Sequence, residues 1–172
     1  MRLLRNSKRR HEARKFIRKC FSVLERYTSI TASIGTFTTG IRTDGTGVFY
    51  LPSLTTFERI TPRSTPTGMV FLDGSFLVIK KVFRYDYPSD DATEPQICYL
   101  EYGYHYQRPQ DNSFFRYDFH PDIGETDTHP LYHLHAAGWR NGANNLPSAP
   151  RFPVQFITLG ELLELIRINF FE

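Results

Sequence analysis

Apolar residues recur every three or four positions from Ala13 to Tyr27, through Phe16, Ile17, Cys20, Phe21 and Leu24. That spacing puts them on one stripe of a helix, which Ser7 can cap at its start and which runs to about Tyr27. From Ser29 to Ile60 the pattern changes to short alternating runs rich in Thr, Gly and Ile, with breaks at Asp44-Gly45 and Thr46-Gly47, predicting two or three short strands. Thr61 to Gly68 reads as a connector. Met69–Leu72 and Ser75–Tyr85 flank an Asp73-Gly74 pair, a strong hairpin signal. Between Ile97 and Gln107, Cys98, Leu100, Tyr102, Tyr104 and Tyr106 alternate with Ile97, Tyr99, Glu101, Gly103 and His105, which is strand period. Ser113–His120 follows as the third strand of an antiparallel meander. A proline-containing loop with Pro147, Pro150 and Pro153 precedes the terminal helix, where Thr158 and Glu161 form a capping box and Leu159, Leu162, Leu163, Ile166 and Phe170 form the buried stripe.

This order predicts an α+β fold: an antiparallel sheet of five to seven strands with the N-terminal and C-terminal helices packed on one face. The length of 172 residues suits a single domain over 1–172, with residues 1–28 as its basic helix and 69–172 as the main α+β region.

Composition sharpens this in two ways. Aromatic residues make up 15% of the chain, which favours sheet. Charge is distributed unevenly: residues 1–19 hold nine Lys or Arg and one acid, while residues 20–172 hold twelve and seventeen. The basic character therefore belongs to the first helix, and Arg9, Arg10, Arg14, Lys15, Arg18 and Lys19 are the candidates for gripping nucleic-acid phosphates. A solvated face that only aids solubility is the plain alternative. No apolar run approaches the roughly 20 residues needed to cross a bilayer, and the basic start lacks a signal-peptide core, so a cytoplasmic protein without membrane contact is expected. Cys20 and Cys98 are too few for a disulfide scaffold and read as buried, reduced thiols.

The chemistry concentrates in Phe114–Ala136. Four of the six histidines lie there, His120, His129, His133 and His135, with Arg116, Asp118, Asp122, Glu125 and Asp127 among them. Strand alternation places Arg116, Asp118 and His120 on one face and Phe115, Tyr117 and Phe119 on the other. If Leu131–Ala136 is extended too, His133 and His135 share a face and can meet the first group. Three uses of such a set stay open. A His-x-His pair with another histidine and a carboxylate suits zinc or a redox metal. Two histidines and an arginine, Arg116 or Arg140, suit metal-independent phosphodiester transfer, one histidine taking the ribose 2′-OH proton and the other protonating the leaving oxygen. Histidines capping backbone carbonyls beside an Arg116–Asp118 pair would be purely structural.

The same residues carry a resemblance. DGSFLVIKKV, YGYHYQ, FRYDFHP and HPLYHLH, followed by a Leu/Glu-rich helix, resemble in order and spacing the TumE toxin family of prokaryotic toxin–antitoxin systems, over residues 69–172. In that resemblance Arg116, Tyr117 and Asp118 occupy the family's RYD segment, and His133 and His135 its closing HxH. Phe119 stands where the family has Asn, and His120-Pro121 replaces a Pro-His-His run. The resemblance implies a small α+β toxin neutralised by an antitoxin. The expected function is a toxin-like effector acting on RNA as a metal-independent ribonuclease without cofactor, with His133 and His135 as acid and base supported by His120, Asp118 and Arg116. The alternative is a non-catalytic subunit that binds nucleic acid or protein.

Overall fold

Asp73 and Gly74 close the hairpin around which the sheet is built. Gly74 takes a positive φ of 81°, and both the N–H and the hydroxyl of Ser75 donate to Asp73 Oδ1, at 2.9 and 2.5 Å. The turn joins β4 (Met69–Phe71) to β5 (Phe76–Asp86), the central strand. The computed structural model describes residues 2–52, 65–111, 113–119, 121, 130–138 and 151–172. Within them α1 spans Arg2–Glu25, followed by β1 (Thr31–Ile34), β2 (Thr38–Ile41) and β3 (Gly47–Leu51). After the hairpin come β6 (Gln96–Arg108), β7 (Ser113–Phe119), β8 (Tyr132–Gly138), β9 (Arg151–Pro153) and α2 (Leu159–Phe170).

These nine described strands form one antiparallel sheet, larger than the predicted five to seven. One edge of β5 pairs with β4 near its start and with β3 further along, and its other edge pairs with β6; β7, β8 and β9 follow in sequence order. β9 falls inside the segment predicted as a loop. Its pairing is confined to three residues at the edge of the described sheet, where a proline such as Pro153 is tolerated because among the described residues no outer strand needs its missing N–H.

The two helices cover one face. Phe49, Leu51, Leu77, Ile79, Phe83, Tyr102, Tyr104 and Tyr106 from that face join Ala13, Ile17, Cys20 and Leu24 of α1 and Leu159, Leu162, Leu163 and Ile166 of α2 in one buried cluster. α1 begins at Arg2, ahead of the Ser7 cap read from sequence, so Ser7 lies within the helix and is exposed. Tyr27 ties the helices together, its hydroxyl lying 3.3 Å from both the Gly160 carbonyl and Glu164 Oε2. The capping box of α2 is present: Thr158 Oγ1 accepts from the Glu161 N–H at 3.2 Å, and Glu161 Oε2 accepts from the Thr158 N–H at 2.8 Å. Thr158→Ala is expected to lower stability by about 1 kcal/mol, measured by denaturant unfolding, because it orphans one donor at the helix start.

The strand register shifts at two described places, between Thr31 and Ser33 in β1 and again in β6. Val82 pairs with Glu101 and Phe83 with Tyr99, so Leu100 is an extra residue, a bulge that flips everything before it. Tyr99 thereby turns towards Phe16 of α1, at 6.0 Å between ring centroids, and Cys98 turns out to solvent. Cys20 is buried as expected; Cys98 is not.

Candidate functional site

The face away from the helices carries Phe76, Val78 and Lys80 on β5, then Glu101, Gly103, His105 and Gln107 on β6. β7 adds Phe114, Arg116 and Asp118, and β8 adds His133 and His135. The register lines these up in rows: His105 opposite Arg116 opposite His135, and Gly103 opposite Asp118 opposite His133. The sequence supplied the alternation on each strand, and the antiparallel pairing of β7 with β8 brings the two sets together.

Asp118 is the centre. Arg116 Nε donates to its Oδ2 at 2.5 Å, and the same oxygen lies 3.5 Å from His135 Nε2 and 3.8 Å from His133 Nε2. The two imidazoles stand edge-on, with centroids 4.9 Å apart and planes at 76°. His133 Nδ1 lies 2.8 Å from the Pro130 carbonyl. A carbonyl only accepts, so Nδ1 carries the proton and Nε2 is the nitrogen turned to Asp118. Exposure separates the roles within the set. Asp118 and His133 are buried, with side chains 0% and 1% exposed, whereas His135 keeps 11% and Arg116 keeps 34%. Only the last two present a surface to a substrate.

Sequence reading missed two neighbours. His105 is buried, sits opposite Arg116 and stacks on Phe114 at 5.5 Å with planes 16° apart; its Nε2 lies 3.0 Å from Gln107 Oε1. Burial, with Arg116 adding to it, pushes the imidazole down to about 4, so it is neutral at pH 7. Gln107 is buried as well. The signal was present: His105 belongs to the polar set alternating with the tyrosines of β6, and the meander puts β6 beside β7. Further along, Lys80 Nζ meets Glu101 at 2.6 Å.

Asp118, His133 and His135 each bring one ligand atom within 4.8 Å of the others, a donor set that zinc accepts. Charge weighs the other way. The guanidinium of Arg116 already neutralises the carboxylate, and a dication would put a second positive centre on one buried anion among the described residues.

The remaining candidates divide. His120, His129, Arg140, Asp122, Glu125 and Asp127 lie outside the described residues. Phe119, where the resembled family has Asn, faces the helices and stacks between Tyr102 and Tyr132 at 5.7 and 4.7 Å, so this departure leaves the Arg116–Asp118 face untouched. The basic helix lies on the opposite face of the sheet from the histidines. Its first cations are matched internally: Arg5 with Asp90, Lys8 with Glu94 at 2.5 Å and Arg9 with Asp86 at 3.2 Å. Arg5 and Arg9 also lie over the Tyr87 ring, at 4.6 and 5.5 Å. Arg10 is partly buried, and Arg14, Lys15, Arg18 and Lys19 are exposed. Among the described residues, no helix is long and apolar enough to cross a membrane.

Comparison with known protein families gives a match. The family described as Toxin TumE matches residues 47–167, which begins at β3, ahead of the region recognised from motifs, and runs into α2. The match covers most of the chain, and the protein belongs to this toxin family; residues 1–46 lie outside it. No curated protein and no solved structure matches.

Proposed function

We propose, from membership of the TumE toxin family, that this protein is a toxin that cleaves RNA by metal-independent acid–base chemistry on the Arg116–Asp118–His135 face and is held in check by an antitoxin. The observation that carries this reading is the convergence of a guanidinium and two imidazoles on one buried carboxylate; of these described groups, His135 and Arg116 are the ones open to a substrate. His135 removes the ribose 2′-OH proton, and the 2′ oxygen attacks the adjacent phosphorus. Arg116 neutralises the phosphorane charge. Asp118 fixes both groups, and His133, locked by the Pro130 carbonyl, packs against Asp118 from the other side as a positioning residue. Since His133 is enclosed, the proton for the departing 5′ oxygen is assigned to His120, two positions beyond Asp118 in the sequence. Arg14, Lys15, Arg18 and Lys19 lie behind the sheet, so they do not hold the phosphates flanking the scissile bond.

Purified protein incubated with total RNA in EDTA at neutral pH tests this. Cleavage leaving 2′,3′-cyclic phosphate ends is expected. Intact RNA, with a gel shift that weakens steeply with salt, would replace this reading with that of a non-catalytic binder. Cleavage only after divalent metal is restored would assign Asp118, His133 and His135 to a metal.

A further inference from the structure

Strand β2 lies at an open border of the sheet. Among the described residues Thr38–Ile41 pairs only with β3, so the other row of its peptide groups has no strand partner. Natural edges are blunted by short length, bulges or a covering element, or by lysine or proline within the strand. Here the sequence is Thr-Thr-Gly-Ile, with Thr38, Thr39 and Gly40 exposed. Alongside this edge α1 and β2 enclose a cleft of about 500 Å³, lined by Arg14, Ile17, Arg18, Thr39, Gly40 and Ile41. The two arginines are one helical turn apart and both exposed, with no carboxylate paired to either among the described residues.

The same helix already shows what such cations take. Arg5, Lys8 and Arg9 hold Asp90, Glu94 and Asp86, acids at the end of β5 and in the loop that follows it. Arg14 and Arg18 repeat that spacing a few turns on, beside an unpaired strand edge. A strand edge supplies peptide hydrogen bonds, which a polypeptide matches and a nucleic acid does not. We propose that the cleft between α1 and β2 is a docking site for an extended acidic segment of a partner protein, which adds to β2 as a further strand and places carboxylates on Arg14 and Arg18. Docking there leaves the Arg116–Asp118–His135 face, on the other side of the sheet, uncovered. The inference is independent of whether that face cleaves RNA.

The test uses a fluorescent synthetic peptide of about eight residues alternating Glu and Val, a peptide of equal charge with Pro in place of Val, and a single-stranded RNA of similar length. Anisotropy should show saturable binding of the Glu-Val peptide, with slowed amide exchange across Thr38–Ile41. The Pro peptide should bind far more weakly, since proline removes half of its peptide N–H donors and its φ of about −65° opposes the fully extended strand. Arg14→Glu with Arg18→Glu should weaken the Glu-Val peptide about tenfold or more, while the melting temperature is unchanged. No saturable binding overturns the proposal, as does equal binding of the Pro peptide, which would indicate charge alone. Tighter RNA binding that the double variant abolishes would overturn it too, making the cleft a nucleic-acid site.

Discussion

His135→Gln is expected to slow RNA cleavage by at least about 100-fold, the lower range for losing a general base, while thermal unfolding is unchanged. Glutamine keeps a side chain that can hydrogen-bond to Asp118 but cannot take up the 2′-OH proton. Since His135 lies at the partly open margin of the cluster, its replacement buries no new polar group. His133→Ala makes the contrast. It removes a buried ring and leaves the Pro130 carbonyl without the Nδ1 donor, so stability should fall by about 2 kcal/mol along with activity. Equal activity of His135→Gln and the parent protein, measured as initial rate on one RNA, would remove His135 from the reaction.

Lys81→Met is expected to stabilise the protein by about 2 kcal/mol at pH 7. Lys81 alternates with Lys80 and therefore points into the helix-covered core, where it is 2% exposed. Its ammonium lies over the rings of Phe16, Tyr99 and Tyr104, at 5.4, 5.7 and 5.2 Å. Burial pulls its pKa down from 10.5 to about 8. A shift of that size corresponds to a burial cost of roughly 3 kcal/mol, partly offset by attraction to the rings. The sign follows from proton counting. Below pH 8 both folded and unfolded chains hold the proton, and the cost is fully present. Between about 8 and 10.5 the unfolded chain holds more protons, so stability rises with pH. The advantage of Lys81→Met over the parent should therefore shrink across that window in denaturant unfolding. An advantage that stays constant from pH 7 to 10.5 would show that Lys81 does not lose its proton in the folded protein.

How far the sequence foretells these features depends on how local their causes are. The Asp73-Gly74 hairpin and the Thr158–Glu161 box are set by residues within a few positions of each other, and both are found as read. The cluster formed by Arg116, Asp118, His133 and His135 needed only alternation plus one strand pairing. What escaped depends on distant partners. The Leu100 bulge, which exposes Cys98, answers to the packing of Tyr99 on Phe16, a contact spanning most of the first hundred residues. β9 is too short to show a period. The internal acidic partners of Arg5, Lys8 and Arg9 are likewise invisible along the chain, so the helix looked more available to an outside ligand than it is. The enclosure of His133 separates it from His135, although the two are equivalent in spacing.

Attack by a ribose 2′ oxygen is the central claim, and a single synthetic RNA tests it. An oligonucleotide cleaved at one linkage is compared, in EDTA, with the same molecule carrying one 2′-deoxy sugar immediately 5′ of that linkage. The proposed chemistry predicts that the modified linkage stays intact while neighbouring sites remain cleavable. Cleavage of the 2′-deoxy linkage at the parent rate would contradict it.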